Sequence, residues 1–216
     1  MINKVSNRFI LNEVANLNKL VLLDLDDTVV EADDIYIYRQ FPGEEEVALT
    51  PAEYRNERVT DDTKQYYDYR DFADPKSITD SIMGGEPIVT NLSVMDELIN
   101  RGYQIGILTA RGHEDTVYDT LREWLMYRDK NGQLVPIGDR LDRNLVYAVN
   151  DAVTASNLTA VADFDKKAEV INGLLDQYDE IIFLDDDIKN LKAVKKLKST
   201  LESNKANKLF VMKAKI

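Results

Sequence analysis

Three aspartates within four positions stand directly after a short apolar run early in the chain. The run covers residues 20–23, the acids are Asp24, Asp26 and Asp27, and the hydroxyl of Thr28 follows them. Acids clustered at the end of a buried strand repel one another unless a cation or a proton offsets their charge. We therefore expect Asp24 and Asp26 to hold a divalent metal ion and to take part in phosphoryl chemistry.

Three later segments carry residues that this chemistry would need. Thr109 and Arg111 follow an apolar run, and a hydroxyl and a guanidinium at such a junction can donate to phosphate oxygens. Asp185 and Asp186 end another apolar run and supply further acids for a metal ion. One lysine of the adjacent pair 166 and 167, each a candidate, would add the positive charge that lets a carboxylate approach an anionic phosphate.

Composition excludes several other kinds of site. The chain has no cysteine, and His113 is its single histidine. Disulfide scaffolds, cysteine-ligated metals and histidine-rich zinc sites are therefore excluded, and a Ser-His-Asp triad is disfavoured. A metal ion here would be bound by oxygen, which favours Mg²⁺. The absence of cysteine also fits a cytoplasmic protein.

Charge is strongly negative overall and unevenly distributed. The net charge of -12 argues against broad, nonspecific binding of nucleic acid. Residues 31–80 hold 14 acids and 6 bases, whereas residues 189–215 hold 9 lysines and one acid. The lysine-rich end is either a solvated helix face or a patch that guides an anionic substrate.

Apolar periodicity predicts an α/β sandwich with a mainly parallel sheet. The predicted strands cover residues 20–23, 103–108, 145–149, 181–184 and 208–212, and the predicted helices cover 9–17, 89–101, 115–127, 167–178 and 190–201. Asn131 and Gly132 predict the turn of a small hairpin. Ligands bind such sheets at the carboxyl ends of the strands, which is where the candidate residues fall. No apolar run is long enough for a membrane helix, so no membrane partner is expected.

Residues 29–87 differ from the rest of the chain and predict an insertion. They are acidic, lack clear periodicity and hold six of the 11 tyrosines. Thr50, Pro51 and Glu53 have the form of a capped helix start. We expect a catalytic core of residues 1–28 and 88–216, with a cap of residues 29–87. The cap tyrosines either stack on a nucleobase or pack against one another.

These motifs, in this order, resemble those of the haloacid dehalogenase (HAD) superfamily of phosphatases. Asp24, Asp26 and Thr28 match its DxDx[TV] motif, and Thr109 matches its second motif. A lysine forms the third motif, and an acidic pair with an asparagine, as in Asp185, Asp186 and Asn190, forms the fourth. The resemblance implies a HAD-like Rossmannoid three-layer sandwich with the cap inserted after the first strand.

The resemblance also implies roles for these residues. Asp24 would attack phosphorus to form an aspartyl-phosphate, and Asp26 would act as acid and base. Mg²⁺ would lie between Asp24, the Asp26 carbonyl and an acid of the fourth motif, for which we favour Asp186, with Asp185 behind it. Thr109 and Lys167 would bind the phosphoryl group, and Lys167 is preferred to Lys166 because we expect it to begin a helix.

Residues 103–124 look like part of the 3′-phosphatase half of phage polynucleotide kinase-phosphatases. That group carries an arginine two residues after the second-motif hydroxyl, as Arg111 is here, and an aspartate four residues before the lysine, as Asp163 is here. Arg111 would then bind phosphate, or alternatively pair with an acid of the cap. No GxxxxGK[ST] motif is present, so no kinase half is expected.

The sequence therefore predicts a Mg²⁺-dependent phosphomonoester hydrolase that acts on a phosphorylated small molecule or a nucleic-acid end. A nucleotide or polynucleotide 3′-phosphate is the preferred substrate, and the negative charge favours a small ester. The alternative is a HAD-like fold with a binding or structural role, and no obligate protein partner is expected. Asp27 is interpreted as a local capping or solvated residue, Asp187 as the cap of the following helix, and Trp124 as a core residue.

Overall fold

The computed structural model describes residues 17–32, 34–60 and 62–215. Residues 9–16 of the predicted first helix lie outside this part of the chain. In chain order the strands are β1 (Lys19–Leu23), β2 (Val30–Glu31), β3 (Ile37–Arg39), β4 (Val47–Leu49), β5 (Tyr67–Asp68), β6 (Glu86–Pro87), β7 (Gln104–Thr109), β8 (Met126–Arg128), β9 (Leu134–Pro136), β10 (Leu141–Ala148), β11 (Glu180–Asp185) and β12 (Leu209–Lys213).

Helices follow most of the strands. They are α1 (Pro51–Arg55), α2 (Arg70–Ala73), α3 (Pro75–Gly84), α4 (Val89–Asn100), α5 (Glu114–Trp124), α6 (Ala152–Ser156), α7 (Asp163–Leu174), α8 (Ile188–Thr200) and α9 (Ser203–Ala206), with 3₁₀ turns at Lys64–Tyr66 and Gly138–Arg140. Among the described residues, no helix is both long and apolar enough to cross a membrane.

Five parallel strands form the central sheet, in the order β10-β7-β1-β11-β12. Strand β1 is central, and its residues 20–23 are all buried. Helices cover both faces of the sheet, which confirms the predicted α/β sandwich and gives it a Rossmann-like form. Each parallel connection crosses over through a helix, so the carboxyl ends of all five strands meet at one edge.

The core has one apolar cluster on each face of the sheet. Val21 and Leu23 face the side covered by α3, α4 and α5, whereas Leu20 and Leu22 face the side covered by α7 and α8. Alternate residues of β1 thus enter opposite clusters, as the pleat of a strand requires. Trp124 is partly buried against the first cluster, in agreement with its interpretation as a core residue.

Helix α7 begins at Asp163, four residues earlier than predicted. Its first turn is acidic, with Asp163 and Asp165, and acids are favourable at a helix N-terminus. Phe164 in this first turn is only partly buried against the core, and the run of buried apolar residues begins at Ala168, so periodicity alone placed the start too late. The expectation that Lys167 begins a helix is therefore wrong, because Lys167 lies in the second turn.

A two-stranded stem joins residues 31–86 to the rest of the molecule. Strand β2 leaves along this stem, and β6 returns antiparallel to it. Between them, β4-β3-β5 form a small sheet, and Thr50 with Glu53 forms the predicted capping box of α1. The sequence prediction missed α3, whose Ile78 and Ile82 are fully buried in the main core.

Candidate active site

Neighbouring strands bring the predicted site residues together at the carboxyl edge of the sheet. Asp24 follows β1, Thr109 ends β7 and Asp185 ends β11, and β1 pairs with both other strands. The backbone N–H of Asp24 donates to the carbonyl of Leu184 at 2.9 Å, which continues the pairing up to the acids. One carboxylate oxygen from each of Asp24, Asp185 and Asp186 lies within 4.8 Å of the others.

The chain turns sharply after Asp24 and brings Asp26 back toward the sheet. The carbonyl of Leu25 accepts hydrogen bonds from the backbone N–H groups of Val29 and Val30, at 2.9 and 3.1 Å. Asp27 adopts a positive φ of 57°, a conformation that aspartate tolerates better than most residues. The tight turn explains how acids two positions apart can serve one site.

Lys167 lies buried between two of the acids. Its Nζ is 2.8 Å from Asp24 Oδ1 and 2.9 Å from Asp185 Oδ2, and its side chain is 1% exposed. Lys166, the alternative lysine, instead donates to Asn150 Oδ1 at 2.5 Å. Of the two candidates, the structure brings only Lys167 into contact with the acid cluster.

The two acids of the fourth motif differ in their partners. Both oxygens of Asp185 accept from Asn190 Nδ2, and they also accept from Lys167 Nζ and the N–H of Asp187. Asp186 accepts from Arg55 Nη1 at 2.6 Å and, at the long distance of 3.5 Å, from Thr28 Oγ1. Asp186 therefore has more free acceptor capacity for a metal ion, and Asp185 is held by protein donors.

Arg111 is fully buried and holds Asp26. Its Nη2 and Nε donate to Asp26 Oδ1 and Oδ2 at 2.6 and 3.2 Å. Its Nη1 donates to the carbonyl of Ile78 and to Ser81 Oγ in α3. Arg111 thus joins an acid of the predicted site to the insertion, and a phosphate-binding role stays a prediction.

Arg55 is a member of the cluster that sequence reasoning missed. It lies at the end of α1, and its Nη1 is 2.7 Å from Asp27 Oδ2 as well as 2.6 Å from Asp186 Oδ2. Asp27 is therefore paired with the insertion, which corrects its interpretation as a local capping or solvated residue. Asp187, in contrast, does cap a helix, because its side chain accepts from the N–H of Lys189.

The hydroxyls of the first two motifs are buried at the same edge. Thr109 is fully buried, and its Oγ1 accepts from the N–H of Arg111 at 3.3 Å. Asn150 Nδ2 donates to the carbonyl of Ala110, the residue between Thr109 and Arg111, and thereby supports the loop after β7. His113 precedes α5 without capping it through a side-chain hydrogen bond.

Burial and mutual repulsion perturb the protonation of the acids. Burial, opposed by Lys167 and assisted by Asp185, raises the pKa of Asp24 well above its usual range. Burial and the charge of Asp185 raise the pKa of Asp186 to about 6. Burial acts to lower the pKa of Lys167, but the charges of Asp24 and Asp185 outweigh it and raise that pKa. These shifts indicate a site that lacks positive charge.

The donor set suits a hard divalent cation. The ion pairs at this edge join five carboxylates (Asp24, Asp26, Asp27, Asp185 and Asp186) to three cations (Lys167, Arg111 and Arg55). Five minus three leaves two excess negative charges when all are ionised, which a divalent ion would balance. Asp24 Oδ2 accepts no hydrogen bond from the described part of the chain, so it stays free for an ion or a substrate. Carboxylate oxygens are the ligands that Mg²⁺ prefers.

Comparison of the chain with protein-family models, with curated proteins and with solved structures gave no match. Function is therefore inferred from the fold and from this cluster alone.

Proposed function

We propose that the protein is a Mg²⁺-dependent phosphomonoester hydrolase of the HAD type, in which Asp24 is the nucleophile. The observation that carries this proposal is the buried Lys167 bridging Asp24 and Asp185 beside Asp186, at the carboxyl ends of adjacent strands. Replacing a buried ion pair by apolar residues is often neutral or even stabilising, so the fold alone does not require this acid cluster. Its position next to a free Asp24 Oδ2 supports a catalytic use.

The first step transfers the phosphoryl group to the protein. Asp24 Oδ2 attacks phosphorus, the bond from phosphorus to the ester oxygen breaks, and an aspartyl-phosphate forms. Asp26 gives a proton to the departing oxygen, which leaves as an alcohol. Both oxygens of Asp26 accept from Arg111 in this structure, so one of them must leave Arg111 to carry that proton.

The second step returns Asp24 to its starting state. Asp26, now ionised, takes a proton from a water molecule as the water oxygen attacks phosphorus. The bond from phosphorus to Asp24 breaks, and inorganic phosphate leaves. An alcohol acceptor in place of water would give phosphotransfer through the same intermediate, so the products of the assay distinguish the two.

Five residues would hold or orient the phosphoryl group and the ion. Asp24 and Asp186 would bind Mg²⁺, with Asp185 behind them, and the bound ion would neutralise charge that develops on phosphoryl oxygens. Lys167 orients Asp24 through Oδ1 and leaves Oδ2 to react. The hydroxyl of Thr109, at the end of the neighbouring strand, would donate to a phosphoryl oxygen.

The surroundings of the site bear on the substrate class. A cleft of about 490 Å³ beside Asp27 has further acids, Glu31 and Glu86, on its walls, which disfavours a polyanion there. Lys213 of β12 lies beside Asp185 of β11 in the strand register, and Lys189 lies in the first turn of α8. These two lysines support a nucleotide or a nucleic-acid 3′-end as the substrate.

Phosphate release tests the proposed chemistry. We expect Mg²⁺-dependent release from p-nitrophenyl phosphate, and a loss of at least about 10³-fold in Asp24→Asn, because a nucleophile is removed. Asp187→Asn serves as the matched control and should keep activity. Asp187 caps α8 two positions after Asp185 and takes no part in the ion pairs of Lys167. Equal release from the wild type and Asp24→Asn would contradict the proposal and leave a binding or structural role.

A substrate panel tests the preferred class. It compares nucleoside 3′- and 5′-monophosphates, a 3′-phosphorylated oligonucleotide and sugar phosphates at one ionic strength. We expect the highest kcat/KM for the 3′-phosphates, and a lower value for the oligonucleotide in Lys213→Glu. A preference for sugar phosphates would favour the alternative, a phosphatase of small non-nucleotide esters.

A further inference from the structure

Arg55 is a cation supplied by the insertion to an acid that the proposed function assigns to a metal ion. A single nitrogen, Nη1, lies 2.6 Å from Asp186 and 2.7 Å from Asp27. The Asp186 side chain is only 5% exposed, whereas that of Arg55 is 36% exposed. Asp186 is thus buried at the carboxyl edge of the sheet, and Arg55 contacts it from the solvent-exposed side.

The position of Arg55 is set by the small lobe of the insertion, which is the part formed by the sheet β4-β3-β5 and helix α1. The preceding residue, Tyr54, donates or accepts a hydrogen bond with Tyr69 at 2.6 Å and packs edge-on against Tyr67. The capping box of Thr50 and Glu53 begins the same short helix. Helix α1 carries both Arg55 and Tyr54. Displacement of Arg55 from Asp186 should therefore also disturb the packing of Tyr54 against Tyr67 and Tyr69.

Arg55 and a divalent ion are both positively charged and would compete for the same carboxylate. Both would share the Asp186 carboxylate, and two cations on one carboxylate repel each other. The cluster has two excess negative charges with Arg55 in place and three without it, by removal of one cation from the ion pairs at this edge. Removing Arg55 should therefore strengthen the attraction for a divalent ion.

We propose that Arg55 is a latch that occupies Asp186 when no ion is bound and that Mg²⁺ binding weakens this contact and loosens α1 from the core. The inference rests on the Mg²⁺ site of the proposed function. Coupling between two ligands of one site is reciprocal, so an arginine that lowers ion affinity is itself displaced by the ion. Loading of the site would thus free the insertion to admit or release substrate.

Mg²⁺ affinity tests the latch without an activity assay. Isothermal titration of the full chain with MgCl₂ compares the wild type with Arg55→Gln, Arg55→Lys and Arg70→Gln. We expect Arg55→Gln to bind Mg²⁺ about fivefold or more tightly, the lower end of ordinary coupling, and Arg55→Lys to stay near the wild type. Arg70 is the matched control, because it lies in the same insertion and pairs with Glu46 and Asp68 away from the cluster.

Hydrogen exchange on the wild type gives an independent measurement. Saturating Mg²⁺ should raise the exchange rate of the backbone amides of residues 53–57 and leave those of β11 unchanged or slower. Equal Mg²⁺ affinity in the wild type and Arg55→Gln, or no Mg²⁺ effect on these amides, would overturn the latch and leave the proposed function standing. Absence of Mg²⁺ binding in every variant would overturn both the latch and the ion site.

Discussion

At the scale of single residues, the site depends on buried charges that compensate one another. Lys167 contacts Asp24 and Asp185 with a side chain that is 1% exposed, and Arg111 is equally shielded beside Asp26. Removing one partner of a buried ion pair leaves an uncompensated charge, which costs more than the pair contributes. Stability and catalysis are therefore linked at these positions.

Lys167→Met should be strongly destabilising at neutral pH. We expect a loss of about 3–5 kcal/mol in the free energy of unfolding at pH 7.5, because Asp24 and Asp185 lose their shared cation. The loss should be smaller at pH 5, because the raised pKa of Asp24 lets protonation remove part of the uncompensated charge. Urea unfolding at both pH values measures it. Lys166→Met is the control, since that lysine contacts Asn150 and Asp163 instead, and an equal loss there would contradict the explanation.

The stability of the protein in EDTA should fall as the pH rises from about 4 to about 6 and then level off. The pKa of Asp186 is raised to about 6 by burial and by Asp185. The folded state therefore binds a proton that the unfolded state has already lost between about pH 4 and 6. The cost of ionisation is fully present above pH 6, on the order of 2 kcal/mol after allowance for solvent screening.

Thermal unfolding from about pH 4 to about pH 8 measures this dependence. Asp186→Asn should flatten the profile, because the amide does not titrate, and Asp187→Asn should keep it. A wild-type profile that rises with pH between 5 and 7 would show that other groups dominate.

At the scale of elements, close approach of two strands brings the second motif to the site. Gly106 in β7 lies where a Cβ atom would meet the carbonyl of Leu145 at 2.7 Å and Leu22 Cδ2 at 2.8 Å. The pairing of β7 with β10 shifts register between Leu141 and Val146, so β10 bends at this point. A glycine is required here because a backbone carbonyl cannot move aside as a flexible side chain can.

Gly106→Ala should therefore destabilise the protein by about 1–3 kcal/mol, through overpacking against the carbonyl of Leu145. Gly173→Ala provides a matched control in α7, where an added Cβ has nothing within 4 Å. That control should stabilise by about 0.5–1 kcal/mol, because alanine favours the helix. Chemical unfolding compares the two, and equal effects of the same sign would refute the steric explanation.

At the scale of the whole molecule, the two parts of the insertion differ in how they pack: the small lobe has its own minor core, and α3 packs into the main core. The minor core of the lobe consists of Ile37, Leu49 and Tyr67, whereas α3 belongs to the main core through Ile78 and Ile82. The N–H of Gly112 also donates to the carbonyl of Phe72, which ties the end of the lobe to the loop after β7. The physical division therefore lies between the lobe and α3, inside the predicted cap of residues 29–87.

Native-state hydrogen exchange should reveal this division. We expect amides of residues 37–68 to exchange through local opening, because few buried apolar contacts hold them. Amides in the middle of α3 should exchange with the central sheet, through global unfolding. Equal protection of α3 and the lobe would contradict the division and favour a cap that opens as one unit.

The sequence by itself determined the sheet architecture and most of the residues at its carboxyl edge. Apolar runs that end in Asp24, Thr109 and Asp185 are local patterns, and parallel strands necessarily bring their ends to one edge. The capping box at Thr50 is equally local and was predicted correctly. Short-range periodicity and capping chemistry carry this information because they involve residues a few positions apart.

Only the tertiary structure decided which charges compensate the acids. Arg55 and Asp186 are 131 positions apart, and Arg111 and Asp26 are 85 apart, so no spacing in the sequence could reveal either pair. Strands β2 and β6 are two residues each and exist through their mutual pairing. Helix α3 presents few apolar residues, and its burial depends on the surface that α5 and Arg111 offer. The physical reason is common to all of them: such contacts form only when distant segments pack together.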